Sequence, residues 1–117
     1  MGKKLGMVGA VLAALGLYLY TLPFKVLSTD VVNGKVKYEQ QCLSCHGKNG
    51  RGDGPLAASM PKKPNDINTK FKTTWKPDNR LTRRILVGKP KTGMPGFKGI
   101  LSEKDAEDIL TYVRTMD

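Results

Sequence analysis

The hydrophobic residues fall into one long block followed by several short helical periods. From Leu5 to Phe24 there are 20 consecutive uncharged residues, most of them apolar. A run without a polar stripe predicts a helix that is apolar all round, which a chain this small could not cover by itself in water. Twenty helical residues span about 30 Å, the thickness of a bilayer's hydrocarbon core. Lys3 and Lys4 precede the run, Lys25 follows it, and Tyr18 and Tyr20 sit near its far end, where amphipathic rings favour the interface. Gly6, Gly9 and Gly16 are tolerated in such helices. The run is longer than a typical signal-peptide core and lacks a clean small-x-small end. Residues 1–29 therefore read as an uncleaved signal-anchor and linker, with a single transmembrane helix. The lysines on both sides leave its orientation open.

Residues 30–117 read as one helical body. A helix is expected from Lys35 to about Cys45, with Val36 and Tyr38 as packing residues. Gly47 to Asp78 repeats glycine and proline without a sustained period, and an unstructured stretch of that length in a small domain implies that it wraps something. Asn79 to Val87 reads as a short helix with Leu81, Ile85 and Leu86 on one side and Gly88 as its stop. Lys89 to Ile100 is a second Gly/Pro loop. The last helix carries the strongest signals. Ser102 with Asp105 three residues on forms a capping box, and Ala106, Ile109, Leu110, Val113 and Met116 follow helical spacing. No alternating pattern and no repeat occurs, so the class is all-α.

Composition sharpens this. The chain has 117 residues and two cysteines, and a body this small is marginal without a staple. Cys42 and Cys45 are too close together to supply one as a disulfide, so a bound group is expected to fill the core. The net charge is +10. Between Lys62 and Lys98 there are 11 basic residues against two acidic ones, Asp66 and Asp78. Such a face would steer an acidic redox partner, or be drawn to anionic lipid beside the anchor. Nucleic acid fits poorly, because no recognition motif is present and aromatic residues are few.

The chemistry concentrates in Cys42-Leu43-Ser44-Cys45-His46. Two thiols three residues apart can add to the two vinyl groups of one porphyrin, and the adjacent histidine then reaches the iron; C-x-x-C-H is the attachment signature of c-type haem. Structural zinc wants four Cys/His ligands, more than this chain possesses, and a thioredoxin-like pair expects a βαβ setting. His46 is the only histidine, so a sixth ligand would be methionine. Met1 and Met7 lie in or before the anchor, and Met116 follows the core spacing of the last helix. Met60 and Met94 remain, each before a proline. Met94 is favoured, since Gly93 and Gly96 allow close backbone approach and Pro95 stiffens the strap.

Cys42-Leu-Ser-Cys-His46-Gly47, Gly50-Arg-Gly52-Asp-Gly54-Pro55, Gly93-Met94-Pro95-Gly-Phe97 and the helix opening at Leu101-Ser102-Glu103 together resemble a monohaem class I cytochrome c, over about Gly34 to Met116. The resemblance implies that fold around one covalent haem c. It implies a steep crossing of the first and last helices of the body, with Gly34 and Tyr38 against the Ile109–Val113 face. It also implies that the Pro55 carbonyl accepts a hydrogen bond from His46 Nδ1, that Trp75 lies near the propionate edge, and that the haem domain sits on the periplasmic side of a bacterial inner membrane. With His46 and Met94 both on the iron, the expected function is single-electron transfer between respiratory or photosynthetic membrane complexes, or within one as a subunit, rather than catalysis. No small-molecule substrate is expected. The alternative, should Met94 not ligate, is a five-coordinate haem sensor or peroxidase-like enzyme.

Overall fold

The computed structural model describes residues 2–21 and 29–117. Its helices are α1 (Gly2–Thr21), α2 (Val31–Gln41), α3 (Leu43–His46), α4 (Ile67–Thr73), α5 (Asp78–Val87) and α6 (Glu103–Arg114), with single 3-10 turns at Ala57–Ser59 and Pro90–Thr92. The all-helical cytochrome c architecture expected of the body is present. The transmembrane helix is not: among the described residues no helix is long and apolar enough to cross a membrane. The described helix, Gly2–Thr21, takes in Lys3 and Lys4 ahead of the uncharged run. The two lysines at its start dilute the apolar character of the described helix. The single-pass reading falls, and with it anchoring through this helix and the assignment to a bacterial inner membrane. Of the linker expected from Phe24 to Asn33, residues 24–28 lie outside the described residues, and residues 31–33 belong to α2 instead.

The body is organised by the crossing of α2 and α6. Asp30 caps α2, its side chain accepting from the Asn33 backbone N–H, so the helix begins four residues before the sequence pattern suggests. Gly34 makes the crossing possible. A Cβ there would lie 2.5 Å from the Asp108 carbonyl carbon and 2.9 Å from Tyr112 Cβ, well inside van der Waals contact. Asp108 is 1% exposed, and such a carboxylate survives burial only if its oxygens are satisfied. The Asp30 backbone N–H donates to Oδ1 at 2.7 Å, Asn33 Nδ2 donates to Oδ2 at 2.8 Å, and Lys104 Nζ donates to both oxygens. Burial pushes the Asp108 carboxyl up, but these donors outweigh it and hold the group below its ordinary value. One turn on, the buried Tyr38 ring meets Tyr112 edge-on at 5.6 Å.

Tyr38 joins Ile67, Ile85, Phe97, Leu101, Ala106, Ile109 and Val113 in the core, with Met116 packed against it. The capping box predicted for α6 is complete, Ser102 and Asp105 each accepting from the other's backbone. Arg114 ties three helices together: it donates to both Asp78 oxygens, at 2.9 and 2.7 Å, and to the Phe71 carbonyl at 3.0 Å.

Candidate functional site

Cys45 and His46 sit on the single turn of α3, and Cys42 is the cap residue that joins it to α2. A four-residue helix leaves most of its carbonyls without partners, and the Gly50–Leu56 segment supplies them. The N–H groups of Leu56, Gly54 and Gly52 donate to the carbonyls of Ser44, Cys45 and His46 at 2.8, 3.1 and 2.8 Å. The contact is close enough to require glycine. A Cβ at Gly54 would lie 2.6 Å from the Leu43 carbonyl oxygen, and Gly52 has φ of 83°. The Gly-x-Gly-x-Gly spacing is thus the complement of the Cys-x-x-Cys-His turn. Tyr38 adds its hydroxyl, donating to the Gly47 carbonyl at 2.6 Å.

The His46 imidazole is fixed by the carbonyl of Asn65, 3.1 Å from Nδ1. A carbonyl can only accept, so Nδ1 carries the proton and Nε2 keeps its lone pair. Burial lowers the pKa of this histidine, partly countered by the Asn65 carbonyl; the ring is held neutral, as a metal ligand must be. Burial likewise pushes the Cys42 thiol up to about 12, with the neighbouring Cys45 adding to the effect.

The second contributor is a strap between α5 and α6. Lys89 N–H donates to the Met94 carbonyl at 2.9 Å and Gly93 N–H to Pro90 at 3.0 Å. Gly93 takes φ of 88°, a left-handed conformation that favours glycine. A Cβ on it would lie 3.1 Å from both Met60 Cε and Pro61 Cδ, so the strap rests on the Met60-Pro61 segment.

These elements enclose one cleft. It is lined by Cys42, Cys45, His46, Met60, Pro64, Asn65, Met94, Pro95 and Phe97, with Gln41 and Thr92, and by four cations, Lys62, Lys63, Lys70 and Lys89. The cleft has an accessible volume of about 180 Å³ and is open to solvent at its mouth. Two thiols, a neutral imidazole, thioethers and an apolar wall suit an iron porphyrin. The cleft thus gathers both cysteines, the histidine and Met94, and it also admits Met60.

Two expected contributors differ. The His46 Nδ1 partner is Asn65, not Pro55. Pro55 lies in the exposed loop between the Gly54 and Leu56 donors, and having no N–H it fits the gap in that ladder. Trp75 is 84% exposed and outside the cleft lining, so the structure does not place it at the haem edge. Asn65 was missed because a backbone acceptor leaves no side-chain signature.

The cytochrome c family model matches residues 31–117, most of the chain and the whole of the body. Cytochrome c6 from Nostoc sp. is 31% identical over 104 residues, 87% of this chain and 86% of that protein. Cytochrome c6 from Synechocystis sp. is 29% identical over 98 residues, 81% of this chain and 72% of that one. Cytochrome c-554(547) from Halothiobacillus neapolitanus is 29% identical over 93 residues, covering 74% and 97%. Among solved structures, a chain of the Kuenenia stuttgartiensis reducing HAO-like protein complex superposes with TM-score 0.64 at 32% identity, covering 81% of this chain. This chain spans only 47% of that one. The chain belongs to the cytochrome c family, as a monohaem class I c-type cytochrome. Its cofactor is one covalently attached haem c, and it is a haem-based electron carrier.

Proposed function

We propose that Cys42 and Cys45 are the two thioether attachment points, that His46 Nε2 and the Met94 sulfur are the axial ligands, and that the protein exchanges single electrons with an acidic redox protein. The observation that carries this is the convergence of both cysteines, the chain's only histidine and Met94 on one cleft. Bound there, the haem supplies one reversible electron, at a potential raised by Met/His ligation. The residues of the chain do the rest. Asn65 orients the imidazole, a backbone acceptor of the kind that fixes ligand tautomers elsewhere. Phe97, Pro64 and Pro95 keep water from the ring. The strap's internal hydrogen bonds hold the backbone of Met94 in place.

Met94 is preferred to Met60 because its own carbonyl is tied down by Lys89, whereas the Met60 methyl lies against Gly93. Lys62 and Lys63 stand exposed at the cleft, and with the rest of the Lys62–Lys98 basic run they give an electropositive approach for an acidic partner. The similarity to a chain of a multi-protein complex fits a role as the cytochrome subunit of an oxidoreductase assembly.

Carbon monoxide tests the ligation. The reduced holoprotein should bind none at neutral pH, and Met94→Ala should bind it promptly and stoichiometrically while keeping covalent haem. Prompt binding by the unaltered protein would instead support the five-coordinate alternative.

A further inference from the structure

The four cations of the cleft have no anion to face. Lys62, Lys63, Lys70 and Lys89 line it together with neutral side chains, and no aspartate or glutamate is among the lining residues. Among the described residues the ion pairs are Lys35–Glu39, Arg51–Asp66, Lys104–Asp108 and Arg114–Asp78, so none of the four takes part. Lys62 and Lys63 are exposed and can be neutralised by water and salt. Lys70, on α4, and Lys89, at the foot of the Met94 strap, are half-buried. Their stems lie partly along the cleft wall, as long basic side chains do while the charged end stays near water, and neither takes part in an ion pair.

We propose that Lys70 and Lys89 are the counter-ions of the two haem propionates. The proposal rests on the functional reading above and adds the orientation of the group: its two carboxylates face the Lys70–Lys89 side of the cleft. Two half-buried lysines on the cleft wall match two carboxylates in number and sign. The electrostatic setting agrees. Arg84, Lys70, Lys62 and Lys76 all act on Lys89 and, with burial, lower its pKa, Arg84 most strongly. That is the condition of a cation cluster whose anions belong to the cofactor.

The consequence is redox. A propionate held by a lysine stays ionised through the neutral range, so the midpoint potential is flat there. A propionate that has lost its lysine has a raised pKa, and the potential then falls as pH rises through it. Removing a positive charge beside the iron also favours the ferric state, lowering the potential at every pH.

The test uses the holoprotein and its Lys70→Gln, Lys89→Gln and doubly substituted forms, with Lys98→Gln as the control, since Lys98 is exposed and outside the cleft lining. Midpoint potentials are followed by spectroelectrochemistry between about pH 5 and 8, the window in which a released propionate would titrate. The double variant should shift the reduced-to-oxidised ratio at a fixed electrode potential by about tenfold toward ferric, and its potential should acquire a sloping segment absent from the unaltered protein. Lys98→Gln should do neither. A flat profile in the double variant overturns the proposal, as does a Lys98→Gln shift equal to that of Lys89→Gln, which would make the effect one of net charge alone. A pyridine haemochrome assay accompanies each sample. Absence of covalent haem from the unaltered protein would overturn the functional reading and this proposal together, whereas covalent haem with flat profiles overturns this proposal only.

Discussion

Gly34→Ala isolates the α2–α6 crossing. The added methyl would stand 2.5 Å from the Asp108 carbonyl carbon and 2.9 Å from Tyr112 Cβ. Carbon atoms rest about 3.5–4.0 Å apart, so the helices must separate by about 1 Å where they meet. The obstructing atoms are backbone and a Cβ, and neither can rotate aside. Overpacking of this kind costs about 1–3 kcal/mol. The separation also stretches the Asp30 and Asn33 hydrogen bonds to Asp108, each worth about 1 kcal/mol net. Alanine's better helix propensity offsets about 1 kcal/mol. The net loss is about 2–4 kcal/mol, or a melting temperature lower by at least about 10 °C for a body of this size. Thermal unfolding of the ferric holoprotein, followed by far-ultraviolet circular dichroism and by the haem absorption, reads it directly. Gly9→Ala is the control, because a Cβ there meets nothing within 4 Å. An unchanged or raised melting temperature for Gly34→Ala would refute the close crossing.

Acid should unfold the protein through Asp108. Its folded pKa is depressed, so its contribution is complete above the unfolded carboxylate value of about 3.9 and is lost as pH falls through the folded value. Denaturant titrations across that range should show stability falling toward low pH, and Asp108→Asn should flatten the fall; an identical profile in the variant would sink the assignment. Met60→Ala should keep the methionine-to-ferric-iron absorption band that Met94→Ala loses; the reverse result would exchange the two residues' roles. Electron-transfer rates with an acidic redox protein should drop as ionic strength rises from about 0.01 to 0.15 M, where the screening length shortens from about 30 to 8 Å, and a salt-independent rate would argue against electrostatic docking.

The parts of the fold written in side chains were legible. The pentapeptide with both cysteines and the histidine, the Ser102–Asp105 box and the period of α6 all act over one or two turns, where spacing alone dictates geometry. Three features escaped for identifiable reasons. Val31 and Val32 look like linker because β-branched residues open a weak helix; the Asp30 cap and the Asn33–Asp108 contact, 75 residues apart in sequence, override that preference. Helix α4 is only seven residues long, too short to show a period. The uncharged N-terminal run promised a spanning helix, but the described helix also takes in Lys3 and Lys4, and a reading of the run alone does not count them.

Cys42 ends α2, begins α3 and packs against the core, which imposes an order on maturation. In the docked body its half-buried thiol has its pKa raised to about 12 by burial and by Cys45, so thioether formation at this position is fastest while the chain is still open. Ligation should therefore precede closure of the helices. Substitutions that hasten closure would yield less finished cytochrome in the cell, even where they raise the durability of the molecules that do mature.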